Sequence, residues 1–264
     1  MAPIRLGAVD YLNARPLVHG LDRRPDLFSL RFDPPSRCAA LLHEHAVDLG
    51  MIPSIEYHRG PTEYRIVPGM AIVSRGPVAS VALFTKVPVE RVRTIAADTS
   101  SRTSNALLRI LCVERFGIAP DLRPMPPDAA AMLAAADAAL IIGDPALYLD
   151  PAAHGVEKID LGAEWTALTG RPFVWAFWAG RPGAAGRDAV AELTAARDAG
   201  VAAADAIAEA YCGPARAEQG REYLRHNICY AMGSEEVAGL RQYYALAARH
   251  QLIPEAREPQ FYES

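Results

Sequence analysis

An α/β protein of two βα lobes, joined by two extended crossings around a cleft, is the architecture the sequence predicts. Three observations carry it. Short apolar runs alternate with helix-patterned segments over residues 4–52 and again over 94–142, the mark of βα units on a largely parallel sheet. Between the two series, residues 71–86 are apolar, rich in Val and without helical period. A matching extended run, 172–179, follows the second series before the chain turns helical and rich in Ala.

Taken in order, Ile4–Val9 reads as a strand, 16–21 as a short helix, 30–33 as a strand, 37–45 as a helix and 48–52 as a buried strand. The second series opens with a strand at 94–97, a helix at 104–116 and a strand at 122–125; a helix at 128–136 and a strand at Ala138–Ile142 complete it. Helical segments at 187–212, 215–227 and 234–250 end the chain. Two crossings imply a discontinuous first lobe, residues 1–84 with 178–264, and a second lobe of 85–177.

The chain has 264 residues, 51 % hydrophobic and 22 % charged, with a net charge of −4. That composition supports a full core and excludes disorder. No positive field exists to hold polyphosphate, so nucleic acid is not an expected partner. No stretch reaches the roughly 20 apolar residues of a membrane span, and the first residues lack a secretory pattern. Four scattered cysteines without a Cys-x-x-Cys pair fit reduced thiols and a cytoplasmic setting. His43 and His45 point to different helix faces, and His226 and Cys229 have no further ligands nearby, so no metal site is expected. Dinucleotide, Walker and nucleophile-elbow motifs are absent, which removes support for nucleotide cofactors and serine-hydrolase chemistry.

In such sheets ligands lie beyond the carboxyl ends of strands, near helix amino termini. Four segments qualify. In Tyr11-Leu12-Asn13-Ala14-Arg15-Pro16, Pro16 suits the first helical position and Asn13 the turn before it. Asp98-Thr99-Ser100-Ser101-Arg102-Thr103-Ser104 crowds donors where a strand meets a helix. One hydroxyl cap contributes about 1 kcal/mol and the remainder are surplus to a helix, and surplus donors beside an arginine suit a carboxylate or phosphate. In Ile142-Gly143-Asp144-Pro145, Gly143 lets a ligand approach the backbone, while Asp144 fits a helix cap ahead of Pro145. Ser54, after the buried strand at 48–52, is a further donor. Ser80 lies in the first crossing, on a side the sequence leaves open, and the aromatic group Trp165, Phe173, Trp175, Phe177 and Trp178 reads as a packed crossing strand.

Val9-Asp10-Tyr11-Leu12-Asn13, Asp98-Thr99-Ser100-Ser101-Arg102-Thr103-Ser104 and Ile142-Gly143-Asp144-Pro145-Ala146-Leu147, in this order and spacing, resemble the chorismate dehydratase family of the futalosine route to menaquinone. Gly76-Pro77-Val78 and Thr169-Gly170-Arg171-Pro172-Phe173-Val174 extend the likeness over nearly the whole chain. The resemblance implies a type II periplasmic-binding-protein-like fold serving as a cytoplasmic enzyme, and the missing ligand cluster and nucleotide fingerprint lead us to expect that no cofactor is needed. It implies that chorismate loses water to give 3-[(1-carboxyvinyl)oxy]benzoate. By family match, Asn13 and Ser80 lie nearest the reacting ring, and Ser101, Arg102, Thr103 and Ser104 bind a carboxylate. The matched motifs offer no His, Glu or Lys, Asp144 being the one acid or base they leave open, which points to the enolpyruvyl carboxylate of the substrate as the base. Two alternatives stay open: a receptor binding a small carboxylate unchanged, and the related 1,4-dihydroxy-6-naphthoate synthase, whose opening motif differs from Tyr11-Leu12-Asn13.

Overall fold

Seven of the strands build one sheet and five a second in the computed structural model, which describes residues 2–263. Met1 and Ser264, the ends of the expected first lobe, lie outside it. The chain lays down β1 (Ile4–Val9), β2 (Phe28–Asp33), β3 (Leu49–Pro53), β4 (Arg65–Ile66) and β5 (Gly69–Ser74) in the first sheet, then crosses. The second sheet takes β6 (Val81–Thr85), β7 (Thr94–Asp98), β8 (Asp121–Met125), β9 (Ala138–Ile142) and β10 (Glu157–Asp160). The chain then returns to the first with β11 (Phe173–Gly180) and β12 (Cys229–Met232).

The first sheet runs β12-β5-β11-β3-β1-β2, with β4 beside β11, and the second β10-β6-β9-β7-β8. β1 is parallel to β2 and β3, and β7 to β8 and β9, as the repeated βα pattern requires. The crossing strands β6 and β11 pair antiparallel with their neighbours. Every residue of β3, β6, β9 and β11 is buried. Strands covered on both faces need unbroken apolar sequence, which is why these four lack polar alternation.

Sheet membership corrects the boundaries expected at 84 and 178. β6 belongs wholly to the second sheet and β11 wholly to the first, so the chain changes sheets at 75–80 and again at 161–172. Both strands are apolar throughout, and sequence alone does not say which sheet an apolar strand joins.

Nine α-helices lie among the described residues. α1 (Pro35–His43) covers the first sheet. α2 (Thr103–Glu114), α3 (Ala129–Ala135), α4 (Gly143–Tyr148) and α5 (Leu161–Thr169) belong to the second, and α6 (Arg187–Ala202), α7 (Ala204–Cys212), α8 (Ala217–Glu222) and α9 (Ser234–Arg249) follow β11. The helix expected at 187–212 is thus two helices meeting at Ala203. A glycine lets each half pack closely, one within α6 and one in α8 against α7. A Cβ on Gly200 of α6 would come within 2.1 Å of the Pro16 carbonyl, and one on Gly220 of α8 within 3.2 Å of Ala208 of α7. The helix expected at 215–227 ends in a π-helical turn, Tyr223–Asn227.

Trp165, Phe173, Phe177 and Trp178 are fully or almost fully buried, confirming the aromatic group as core. Each side chain of that size stabilises the fold by up to about 3 kcal/mol relative to exposure.

Candidate active site

The cleft between the sheets holds a small, partly open cavity of about 60 Å³. Its wall comes from the ends of β1, β3 and β9, from the middle of β5 and β11, from Tyr11 and Asn13 after β1, from the loop into β6 and from the start of α2. The polar wall residues are Tyr11, Asn13, Ser80, Ser101, Thr103, Ser104 and Trp175. Among the described residues that line it, none is Asp, Glu, His, Lys or Arg. Tyr11 is the one side chain of the wall with an acidic hydroxyl besides the alcohols, and burial pushes its phenol above the ordinary value. The site therefore offers neutral hydrogen-bond donors and no group that would act as a base near neutral pH.

Asn13 lies within a 3-10 helix, Leu12–Val18, rather than in a turn before a helix. Pro16 accordingly sits inside that helix and not at its first position. The Oδ1 atom of Asn13 is buried without a partner. Gly200 seats α6 against this segment from behind, so the position of Asn13 depends on a helix some 190 residues further along the chain.

Ser80 stands at a strained corner. Ala79 before it has φ of 62°, a left-handed conformation that costs a residue with a Cβ roughly 1–2 kcal/mol. The Asp160 carboxylate accepts from the N–H groups of Val78 (3.0 Å) and Ala79 (2.6 Å), while Lys158 donates to the Ala79 carbonyl at 2.7 Å. The same carboxylate caps α5 through Gly162 and Ala163. Charge-assisted bonds of this kind offset the strain. Ser80 is 1 % exposed, and its Oγ lies 2.6 Å from the Tyr223 hydroxyl.

The turn before α2 is held by Asp98, which is wholly buried and accepts from both the N–H and the hydroxyl of Ser100 through Oδ1. Its other oxygen has no partner, and burial raises its carboxyl above the usual range. Thr103 joins the lobes: its Oγ1 accepts the Ile55 N–H at 3.2 Å and lies 3.4 Å from the Ser54 hydroxyl, and its carbonyl accepts from Tyr243. Having accepted that bond, the Thr103 hydroxyl keeps its proton for another acceptor.

Asn13, Ser80, Ser101, Thr103, Ser104 and Gly143 therefore meet at one cavity. Ser54 is buried one step behind the wall, against Thr103. Arg102 does not reach it. Its guanidinium faces away and lies 3.6 Å from the buried carboxylate of Glu56, in a surface groove with Arg59 and Arg109. Successive residues entering a helix point about 100° apart, so one run of donors serves two faces.

Asp144 also lies off the cavity and is not a helix cap. It is the second residue of α4, and its carboxylate crosses to the first lobe, accepting the Leu12 N–H at 3.2 Å and the Tyr211 hydroxyl at 2.6 Å. Burial raises its carboxyl above the usual range, with the Tyr211 bond opposing. Gly143 has φ of 67°; its N–H goes to the Ser80 carbonyl at 2.7 Å, and a Cβ there would strike the Tyr11 ring at 2.7 Å. The open face expected for a ligand is occupied by Tyr11.

Sequence reasoning missed Asp160, Tyr223 and the placement of Trp175, whose indole N–H donates to Ser74 while the ring borders the cavity. An Asp directly before the apolar segment 161–169 is a cap signal that could have located Asp160. Nothing local marks Tyr223.

Two lobes with a cleft and a neutral, donor-lined cavity at the strand ends define an α/β protein of the periplasmic-binding-protein fold. In solved structures, 96 % of the chain superposes on 99 % of protein AF1704 from Archaeoglobus fulgidus (TM-score 0.77, 18 % identity). The alkanesulfonate-binding protein SsuA from Xanthomonas axonopodis bound to MOPS matches 98 % of this chain over 96 % of its own (TM-score 0.70, 18 % identity). A family model described as menaquinone biosynthesis matches residues 4–249, and the chain belongs to that family. A chorismate dehydratase of Thermus thermophilus is 32 % identical over 196 residues, covering 69 % of this chain and 71 % of that protein. No helix among the described residues is long and apolar enough to cross a membrane.

Proposed function

We propose that this protein is a hydro-lyase that removes water from chorismate to give 3-[(1-carboxyvinyl)oxy]benzoate. The observation that carries the reading is a cavity wall containing Asn13, Ser80 and the Ser101–Thr103–Ser104 hydroxyls and no acidic or basic side chain, in a relative of a chorismate dehydratase. Aromatisation supplies much of the driving force, so the protein's task is to hold and orient the dianion and to stabilise the departing oxygen.

The base is then the enolpyruvyl carboxylate of the substrate. It takes the proton from C3, the C–H electrons enter the ring, the C4–O bond breaks, and the oxygen leaves as water. Asn13 and Ser80 orient the ring and donate to the departing oxygen, while Ser101, Thr103 and Ser104 hold a carboxylate. Asp144, committed to Leu12 and Tyr211, is a tie between lobes rather than a base. Small-molecule sites commonly span about 300 Å³ or more, so the lobes part to admit the ring and close over it, with 75–80 and the segment before β11 as hinges.

Mass spectrometry of chorismate incubated with the protein tests the reaction: loss of one water is expected. Chorismate recovered unchanged, but bound, would instead support a carboxylate receptor, a role to which the shared fold with SsuA lends weight. Chorismate whose enolpyruvyl carboxylate is a neutral amide should bind and fail to react; its turnover at an undiminished rate would place the base on the protein.

A further inference from the structure

We propose that the groove on the far face of the Asp98–Ser104 turn is a second ligand site, for a small organic dianion, and that its occupant favours the closed arrangement of the lobes. The closing effect rests on the lobe movement proposed above; the site itself does not. The groove encloses about 320 Å³, against about 60 Å³ for the cavity. It therefore falls in the range of about 300–1,000 Å³ usual for small-molecule sites.

Its basic residues come from both lobes. Arg102, Asn105, Ala106 and Arg109 line it from α2, where spacings of three, four and seven residues bring side chains to one helix face. Arg59 reaches it from the first lobe, at the end of the 3-10 turn Ser54–His58 that follows β3. Among the described residues that line the groove, none is acidic. The carboxylate behind it, Glu56, is 2 % exposed and is shared by Arg59 at 3.4 Å and Arg102 at 3.6 Å. Arg109 is exposed and enters no ion pair among the described residues.

Three guanidiniums against one carboxylate leave an excess of two positive charges in the groove, on a protein whose net charge is −4. Like charges gathered in one groove repel. A doubly charged oxyanion removes that repulsion and takes the guanidinium N–H groups in pairs. Ala97, Ala106, Leu122 and Pro124 give the groove an apolar lining, which suits a carbon body behind the charged groups. Phosphate monoesters and dicarboxylates share this chemistry.

The groove and the cavity are backed by the same turn. Ser101 borders both, and the Asn105 amide donates to the Ser101 and Asp98 carbonyls. Arg59 travels with the first lobe, Arg102 and Arg109 with the second. A dianion held by all three binds the closed arrangement better than an open one and shifts the population toward it. By linkage it raises the affinity for chorismate, and chorismate raises the affinity for it by the same factor.

The site is tested by calorimetry with phenyl phosphate and with phthalate on the full chain without chorismate, at about 0.15 M salt, where exposed charges are screened beyond ~8 Å. Binding of at least one is expected, the tighter of the two telling an ester ligand from a dicarboxylate. Arg109→Ala, which removes an exposed and unpaired side chain, should weaken that binding about tenfold. Thr103→Ala, in the cavity wall, should change it by less than about twofold, since it leaves every groove donor in place. Failure of both probes to bind, or binding lost in Thr103→Ala and kept in Arg109→Ala, would overturn the site. With the tighter probe saturating, the KM for chorismate should fall about fivefold in the wild type. In Arg109→Ala it should stay within about twofold, with kcat and KM equal to wild type when no probe is present. A wild-type KM left unchanged, or raised as by a competitor, would overturn the closing effect. Probe binding is read without catalysis, so a protein that holds phenyl phosphate through Arg109 and returns chorismate unreacted refutes the dehydration alone.

Discussion

Two regions put alcohol groups into the same cavity by opposite means. Between Asp98 and Ser104 the geometry is local: a buried carboxylate folds the turn onto itself through Ser100, and the start of α2 sets the side chains at fixed angles. At Ser80 the geometry is borrowed. A strained Ala79 is held by Asp160 and Lys158 from the next strand, and the hydroxyl is met by Tyr223, 143 residues away. A local turn with several equivalent donors tolerates the loss of one, which suits gripping a carboxylate. A corner with a single fixed hydroxyl tolerates none, which suits a bond-breaking step.

The contrast predicts unequal mutational effects. Ser80→Ala, and Asn13→Asp by setting a second negative charge beside a dianion, should each reduce dehydration by about a hundredfold or more in steady-state assays, the scale seen when one transition-state donor is removed. Comparable loss from any single hydroxyl of the 101–104 run would erase the distinction.

A control away from both regions concerns His58, which is 4 % exposed, without hydrogen-bond partners and set edge-on against Tyr244 at 4.1 Å. Burial pulls its pKa from the ordinary 6.5 to about 4. Between these values the unfolded chain takes up a proton that the folded chain refuses. Stability is therefore unaffected above pH 6.5 and falls as the pH drops through the window, by about 2–3 kcal/mol at pH 4.5. Urea unfolding at pH 7 and 4.5 should show this loss in the wild type and a flatter response in His58→Phe. Rate changes at the cleft that track this unfolding would reflect the fold and not the site.

Within the turn itself the expected effects are smaller. Thr103→Ala removes a donor to a charged carboxylate and should weaken chorismate binding about tenfold by calorimetry. Arg102→Ala, whose guanidinium faces Glu56 and solvent, should change it by less than about twofold. A tenfold loss there would mean that the arginine swings into the cleft when ligand binds.

Much of this architecture is legible in the chain because its decisive signals are short-range. The repeated βα pattern places β1, β3, β7 and β9 to within two residues, since strands covered on both faces must be apolar throughout. The donor run at 99–104 declares itself by excess over what one helix needs. What stays illegible is direction and partnership. Arg102 and Thr103 are neighbours in sequence and face opposite ways; Asp144 has the sequence of a cap and spends its carboxylate on the other lobe. The bend at Ala203 and the place of Tyr223 are decided by packing between distant segments, on which local propensity is silent.

The position of β11 bears on how the protein comes into being. It lies between β5 and β3, in the interior of the first sheet, yet it is supplied by residues 173–180. As the chain leaves the ribosome, β3 and β5 emerge with a gap where their shared neighbour belongs, and their apolar edges stay uncovered while about a hundred further residues are made. The second sheet, by contrast, is complete once β10 has emerged at residue 160. The lobe begun first is finished last, and its unpaired edges are where a holding chaperone would find most to bind during synthesis.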